Sequence, residues 1–288
     1  DTFTAHLAAE KLKELSRGNG PWSLTASFWG PHQPFYPSEP FAGRIDPESI
    51  PVYPTFDDDL YGRPNRHVMH RDYTHGAPRT QWKDYSTWRR VLARAFEQQM
   101  QLDAAVGNLL DALDGTGQAE NTIVIWVADH GDALATHGGL WDKSVTYTEE
   151  VARVPLAIRW PRRFRGGVTT RKLASNIDVT ATMLDAAGVA IPEGMHSRSL
   201  LPVCDDPGLE GWRDAVFAQH HGHGWLMPQR MIVTDRYKSN SAFSDGDEMY
   251  DLVEDPFETN NLVASPDHQD VAADLRKRIR SFAPAPAV

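Results

Sequence analysis

The sequence predicts an α/β fold with a mixed, mostly parallel sheet flanked by helices, followed by a smaller α+β domain. Two observations carry this. Apolar runs of strand length alternate with helical periods over residues 1–211, the pattern of helices packed on a largely parallel sheet. From residue 212 to 288 the apolar runs become short and are separated by turn signals, as in an antiparallel sheet. With 288 residues, 41% of them hydrophobic, the chain is long enough for one large core with a smaller one beside it.

The elements follow in order. Residues 2–17 have the period of an amphipathic helix, ended by Gly18. "PWSLTASF", Pro21 to Phe28, reads as a buried strand. Residues 30–82 are rich in Pro, Gly, Asp and aromatics and lack a period, so a long functional or packing loop is expected there. Within it Asp57 to Asp59 resemble a metal cluster by composition alone. Three adjacent acids cannot all face one ion, so a solvated loop is expected. Residues 84–114 carry the clearest helical period, with Val91, Ala95, Leu102, Val106, Leu109 and Leu113 on one face. Gln98 shares that face and is expected to satisfy a polar neighbour. Strands are predicted at Thr122–Ala128 and Val154–Trp160, and a helix from Asp178 to Ala187 before Gly188. "AVFAQ", "QRMIVT", "YKSNSAF" and "EMYDL" read as the strands of the second domain, closed by a helix near 268–282. The tail "APAPAV" is expected to be disordered.

Charge and special residues narrow the function. Lys+Arg total 29 against 39 Asp+Glu, a formal charge of −10. Such a balance argues against nucleic acid or an anionic membrane as main partner. No apolar run is long enough to span a bilayer. Cys204 is the only cysteine, so no internal disulfide can form. The chain opens directly on a helical pattern without Met, and it is expected to begin within a longer protein.

Chemistry concentrates at strand exits, where sites form in open α/β sheets. Asp129 and His130 end the run "IVIWVA". A carboxylate oxygen and an imidazole nitrogen suit a divalent cation; an Asp-His pair equally suits a cap or a local ion pair. Lys143, in a glycine-rich and apolar loop, can neutralise a substrate oxyanion, or it can be a solvated charge. His32, in "GPHQPFYP", follows another predicted strand and can act as an acid or pack in its loop. "AQHHGHGW" holds His221 and His223 and reads as a substrate contact or a plain surface loop. His137, between the Asp-His pair and Lys143, reads as a residue that orients the loop.

These motifs resemble the sulfatases of the alkaline-phosphatase-like superfamily, in order and over nearly the whole chain. They are "SLTASFWGPHQPF", "LDAAVGNLLDALDGTGQAENTIVIWVADHGD", "HGGLWDKSVTYTEEVARVPLAIRWP", "SNIDVTATMLDAAGV", "HSRSLLPV" and "MYDLVEDPFETNNL". The resemblance implies that Asp129 and His130 bind the metal, that Lys143 contacts the sulfate oxygens, and that His32 contacts the sulfate or the leaving oxygen. His221 or His223 would contact the organic part of the substrate. The implied metal is calcium, which prefers oxygen ligands; His130, where many members have Asn, leaves room for manganese or zinc. The implied substrate is an aryl or carbohydrate sulfate ester.

The sequence departs from the family where the nucleophile should be. The Cys/Ser-x-Pro/Ala-x-Arg motif that yields formylglycine is absent, since Cys204 stands in "PVCDDPG". The family's N-terminal carboxylate pair is absent too. The expectation is that both lie upstream and that this chain alone is inactive. Two rival expectations stand beside it: a phosphodiester or phosphonate monoester hydrolase of the same superfamily, and a non-catalytic binding module.

Overall fold

Ala5, Ala8 and Leu12 recur at helical spacing and are the buried stripe of the first helix, α1 (Thr2–Leu15). The structure is a computed structural model that describes residues 1–75, 82–143 and 145–282. After α1 come α2 (Asn65–His75), α3 (Tyr85–Gly115), β1 (Val124–Val127), α4 (Thr136–Gly139), α5 (Glu149–Ala152), β2 (Leu156–Arg159), α6 (Asp178–Ala186) and α7 (Leu201–Asp205). Then follow β3 (Ala215–Gly222), β4 (Leu226–Thr234), β5 (Tyr237–Ala242), β6 (Glu248–Asp251) and α8 (Gln269–Phe282). The chain divides into two compact units.

The first unit comprises Asp1–Val52, Thr80–Val124 and Arg159–Gly166. Here α1 packs on α3. Asp84 starts α3 by accepting the Ser86 N–H at 2.9 Å. The buried apolar side chains of α3 include Trp88, Leu92, Ala95, Leu102, Ala105 and Leu113. Val91, Val106 and Leu109, predicted on this face, are half-buried at its edge. The polar residues of α3 hold the long segment after His32. Glu97, fully buried, accepts the Ile45 N–H at 3.0 Å. Gln101 accepts the Ser38 N–H at 2.9 Å, and Arg89 donates to the Ile50 carbonyl at 3.0 Å. Gln98 donates to the His32 carbonyl at 3.4 Å, the contact to a polar neighbour that its position predicted.

Residues 21–28 correct an expectation. Their side chains alternate between exposed and half-buried, the period of an extended chain, but no ladder is formed. Extension without a hydrogen-bonded neighbour does not make a strand.

The second unit comprises Tyr53–Arg79, Ile125–Ile158 and Gly167–Val288. β1 and β2 pair as a two-stranded sheet, each shorter than the predicted run. The predicted second group of strands forms one antiparallel sheet in the order β3-β4-β5-β6. Phe217 faces Ile232 across β3 and β4, and Ser239 faces Met249 across β5 and β6. α8 covers this sheet with Ala272, Leu275 and Ile279 against Ala215, Ile232 and Met249. Phe217 and Phe282 stack with ring centroids 4.2 Å apart. α6 ends at the predicted place, where Gly188 takes a left-handed φ of 69°. Asp178 at its start is buried and holds Arg213 through both carboxylate oxygens, at 2.8 and 2.9 Å.

α2 lies inside the segment predicted as loop. Its buried residues include Arg66, His67 and His70, so no apolar period marks it. Arg66 and His67 instead reach Glu248 of β6, at 2.6 and 2.8 Å. The tail at 283–288 lies outside the described residues. Among the described residues, no helix is long and apolar enough to cross a membrane.

Candidate active site

β1 delivers Asp129 and His130 to a loop that runs to Lys143. The Asp129 side chain is 87% exposed, and its Oδ2 lies 3.6 Å from His130 Nε2. His130 Nδ1 is 2.8 Å from the Gly131 carbonyl. A carbonyl can only accept, so Nδ1 carries a hydrogen, and in the neutral ring the lone pair is on Nε2, the atom nearer Asp129. Gly131 is required by a close approach: a Cβ there would lie 1.9 Å from the Glu150 carbonyl oxygen.

Asp132 closes the loop on itself. Its Oδ1 accepts the N–H groups of Leu134 at 3.0 Å and Asp142 at 2.9 Å. Between them the backbone is strained. Leu134, Ala135, His137 and Asp142 all have positive φ, between 39° and 76°, without being glycine. Such conformations persist where the surroundings over-determine them, and they gather at functional segments. Lys143 follows directly. It is half-buried, its N–H donates to Asp142 Oδ1 at 2.7 Å, and its ammonium lies 3.5 Å from the same atom.

A buried ionic cluster lies beneath the loop. His137 has no exposed surface. Its Nδ1 lies 2.8 Å from Arg63 Nη2 and 3.6 Å from Asp58 Oδ2, and Nε2 faces Glu150 Oε2 at 3.2 Å; burial presses its pKa down, but the Asp58 and Glu150 carboxylates raise it above the ordinary histidine value. Arg63 also binds Asp58 at 3.0 Å and the Glu258 carbonyl. Burial opposes ionisation of Asp58, but His137, the Arg63 guanidinium and the Leu60 N–H outweigh it and hold the carboxyl at about 2. Lys238 lies between Glu258 at 2.5 Å and Glu149 at 3.0 Å. Burial presses its ammonium down, yet the two carboxylates hold it above the ordinary lysine value. Glu258 Oε2 also accepts the first N–H of α5, from Glu149, at 2.6 Å.

This cluster corrects the reading of Asp57–Asp59 as a wholly solvated loop. Asp57 and Asp59 are exposed, whereas Asp58 is drawn in by Arg63. His137, Glu150 and Glu258 each bring one ligand atom within 4.8 Å of the others, a grouping that a cation could use. Lys238 and Arg63 already supply positive charge there, so the cluster is satisfied as ion pairs. Sequence reasoning passed over Asp132, Glu150, Lys238 and Glu258. Asp132, Glu150 and Glu258 had a signal in their places within "VADHGD", "TYTEEVARVP" and "MYDLVEDPFETNNL".

His221 and His223 lie exposed at the β3–β4 hairpin. The inward histidine is His220, whose ring lies 5.1 Å from that of Tyr147. Burial, with the nearby positive charge of His221, Arg66 and His223, lowers its pKa to about 4. Gly222 is demanded by the turn, since a Cβ would lie 2.0 Å from the Trp225 carbonyl oxygen. His32 belongs to the first unit. Its Nδ1 is 2.7 Å from the Gln33 carbonyl, and its ring lies 5.1 Å from that of Trp29. The structure therefore brings Asp129 and His130 into contact and places them on one loop with Lys143. It does not place His221 or His223 in hydrogen-bond contact with them.

Residues 1–189 match the family model described as Sulfatase, and residues 136–284 match that of N-sulphoglucosamine sulphohydrolase, C-terminal. The chain belongs to the sulfatase family. Among its relatives in that family are an N-acetylglucosamine-6-O-sulfatase of Bacteroides thetaiotaomicron, 32% identical over 67% of this chain and 35% of the relative, and a choline-sulfatase of Rhizobium meliloti, 31% identical over 92% and 52%. The chain thus spans between a third and somewhat over half the length of these two sulfatases. Solved structures agree on the alkaline-phosphatase-like fold. One, a complex with its substrate D-glucosamine-2-N,6-O-disulfate, superposes with a TM-score of 0.83 at 22% identity, covering 97% of this chain and 69% of the other. The phosphonate monoester hydrolase of Agrobacterium radiobacter gives 0.81 at 22% identity, covering 97% and 60%. Within this sulfatase-family chain Cys204 is half-buried in α7, and its flanking Asp205, Asp206 and Pro207 do not make the formylglycine motif.

Proposed function

We propose that this chain carries part of the active site of a metal-dependent sulfatase acting on an aryl or carbohydrate sulfate ester. The observation that carries the proposal is the Asp129–His130 pair at the exit of β1, on one loop with Lys143, in a chain of the sulfatase family. The pair fits a cation. Its two donor atoms are 3.6 Å apart, a separation that two bonds of about 2.0–2.6 Å to one ion can span. The Gly131 carbonyl keeps the His130 lone pair on Nε2, the tautomer a ligand needs. Asp129 and His130 would hold the ion, calcium by family habit, with manganese or zinc compatible with the nitrogen donor.

When bound, the metal supplies charge to the sulfuryl oxygens, and formylglycine, which we place outside these 288 residues, supplies the nucleophile. The chain's own residues do the rest. Lys143 donates hydrogen bonds from its ammonium to a sulfuryl oxygen as negative charge grows there. His32 acts as the imidazolium: its Nδ1–H stays on the Gln33 carbonyl while Nε2 gives its proton to the leaving oxygen. Residues 1–211 are assigned as the α/β catalytic domain, and 212–288 as the domain whose hairpin, with His221 and His223, contacts the organic part of the substrate. A small sulfated molecule or glycan is the expected partner.

A second reading, hydrolysis of a phosphonate or phosphodiester, is favoured by the nitrogen donor of His130 and by the likeness to a phosphonate monoester hydrolase. One experiment separates them. The enzyme as its gene encodes it is assayed with 4-nitrophenyl sulfate and with an aryl phosphonate monoester, in calcium, manganese and zinc, beside Asp129→Ala. The proposal expects sulfate turnover and bound metal, both lost in the variant. Undiminished turnover by Asp129→Ala would refute the metal assignment, and turnover confined to the phosphonate would establish the second reading.

A further inference from the structure

We infer that His70 is a positioning residue for Lys143, holding the lysine loop on both sides of that side chain. The inference rests on the reading of Lys143 as the contact to the sulfuryl oxygens. His70 belongs to α2, the helix that no apolar period announced, and it has no exposed surface. Its Nε2 lies 2.6 Å from the Trp141 carbonyl oxygen. The carbonyl accepts, so Nε2 carries the hydrogen and Nδ1 is the acceptor. That second nitrogen faces Thr146 Oγ1 at 3.5 Å, a long contact, and the same hydroxyl donates toward the Lys143 carbonyl at 3.4 Å. Trp141 and Thr146 bracket Lys143 in sequence, and the Thr146 N–H closes a turn on the Lys143 carbonyl at 3.3 Å. One imidazole therefore touches the chain before and after the lysine.

The loop needs such a hold. Asp142, immediately before Lys143, sits at φ 69°, a conformation an aspartate adopts at a cost. A second grip comes from β4, where buried Gln229 donates to the Val145 carbonyl at 2.8 Å. Gln229 is itself held by Asn240, which donates to its Oε1 at 2.7 Å. α2 does not depend on His70 for its own place. Arg66 and His67 bind Glu248, and Asp245 accepts the Arg66 N–H at 2.8 Å. Removing the His70 ring should thus release the loop and leave the helix docked. The charge on Lys143 stays; what changes is how well its ammonium is aimed, and a displacement of about 1 Å at a reacting centre can cost on the order of 100-fold in rate.

The test uses His70→Ala, His70→Gln, Lys143→Ala and the His70→Ala/Lys143→Ala double variant. Gln places an amide N–H near the position of the imidazole Nε2–H. Amide hydrogen exchange is read at residues 142–146 and in β3–β6, and kcat and KM are measured on 4-nitrophenyl sulfate in the enzyme as its gene encodes it. His70→Ala should speed exchange in the loop by about tenfold or more with β3–β6 unchanged, and lower kcat about 10- to 100-fold with little change in KM. His70→Gln should recover most of both. In the Lys143→Ala background, His70→Ala should cost almost nothing further, because the two residues act as one unit. Unchanged loop exchange, or a full additional loss in the double variant, would overturn the inference. Loss of protection throughout β3–β6 would make His70 an ordinary core residue and overturn it too. If Lys143→Ala keeps its turnover, the reading of Lys143 fails by itself, while the exchange data still decide whether His70 holds the loop.

Discussion

Lys143 and Asp58 illustrate two uses of charge in one unit. Lys143 is half-buried with its ammonium 3.5 Å from Asp142, whose carboxylate is also partly exposed to water. Lys143→Ala should therefore lower turnover by about 100-fold or more while shifting stability by less than about 1 kcal/mol. Kinetics beside a thermal melt decide it, and an early melt with a normal rate per folded molecule would make Lys143 structural. Asp58 is the opposite case. Its folded carboxyl is depressed from 3.8 to about 2. A depressed carboxyl contributes stability above its unfolded pKa and loses it as pH falls toward the folded value. Asp58→Asn should thus destabilise at neutral pH by up to about 2 kcal/mol, and the gap to the parent should close between pH 4 and 2. Urea unfolding at three pH values reads this; a gap constant with pH would show that Asp58 does not titrate as described.

At the scale of elements, the loop leaving β1 is fastened to α5 backbone to backbone. The Gly131 N–H donates to the Val151 carbonyl at 2.8 Å, and the glycine leaves no room for a Cβ beside Glu150. Gly131→Ala must displace backbone on one side or the other. It should cost several kcal/mol and disturb Asp129 and His130, which adjoin it; an unaltered melting temperature would mean that the two segments part easily. α5 is also tied to β5 through Lys238. Lys238→Ala would leave Glu258 and Glu149 without their buried cation and should cost about 3–5 kcal/mol. The Lys238→Met/Glu258→Gln pair should recover part of that loss, since no unpaired charge at residue 258 remains. Denaturant melts of the three proteins test the order. These elements differ in how far they could be read in advance. α3 and the strands β3 to β6 follow from local period and turn residues. α2 was unreadable because it buries Arg66, His67 and His70, which look like a solvated face until Glu248 pairs with the first two and the Trp141 carbonyl with the third.

At the scale of the whole chain, the 288 residues hold Asp129 and His130, which we propose as metal ligands, and Lys143, but one cysteine, outside the formylglycine motif. Expressed by itself, this chain should turn over no sulfate or phosphonate ester and should bind calcium weakly, since calcium takes about 6–8 oxygen ligands. Residues 21–28 add a second expectation. An extended segment without a ladder offers free edge groups to another chain, so the 288-residue protein should associate as its concentration rises. Turnover assays, calcium titration and sedimentation over a concentration series check these outcomes; efficient turnover lost in Asp129→Ala would show a complete site within this chain.

Short-range features were enough for much of this. The period of residues 84–114, the turn signals after 212 and the ordered motifs around Asp129, Lys143 and Glu258 are written within a few residues of where they act, so the family and its fold could be read without coordinates. Tertiary structure decided the rest. It determined that Asp58 is pulled inward, that His220 turns inward while His221 and His223 stay exposed, and that His70 meets the lysine loop. Arg63 meets Tyr250 across 187 residues, Arg66 meets Glu248 across 182, and Lys238 meets Glu149 across 89. Burying an unpaired charge costs more than a single hydrogen bond returns. Each such residue is tolerable in the interior only beside its partner, and a partner that distant is supplied by topology.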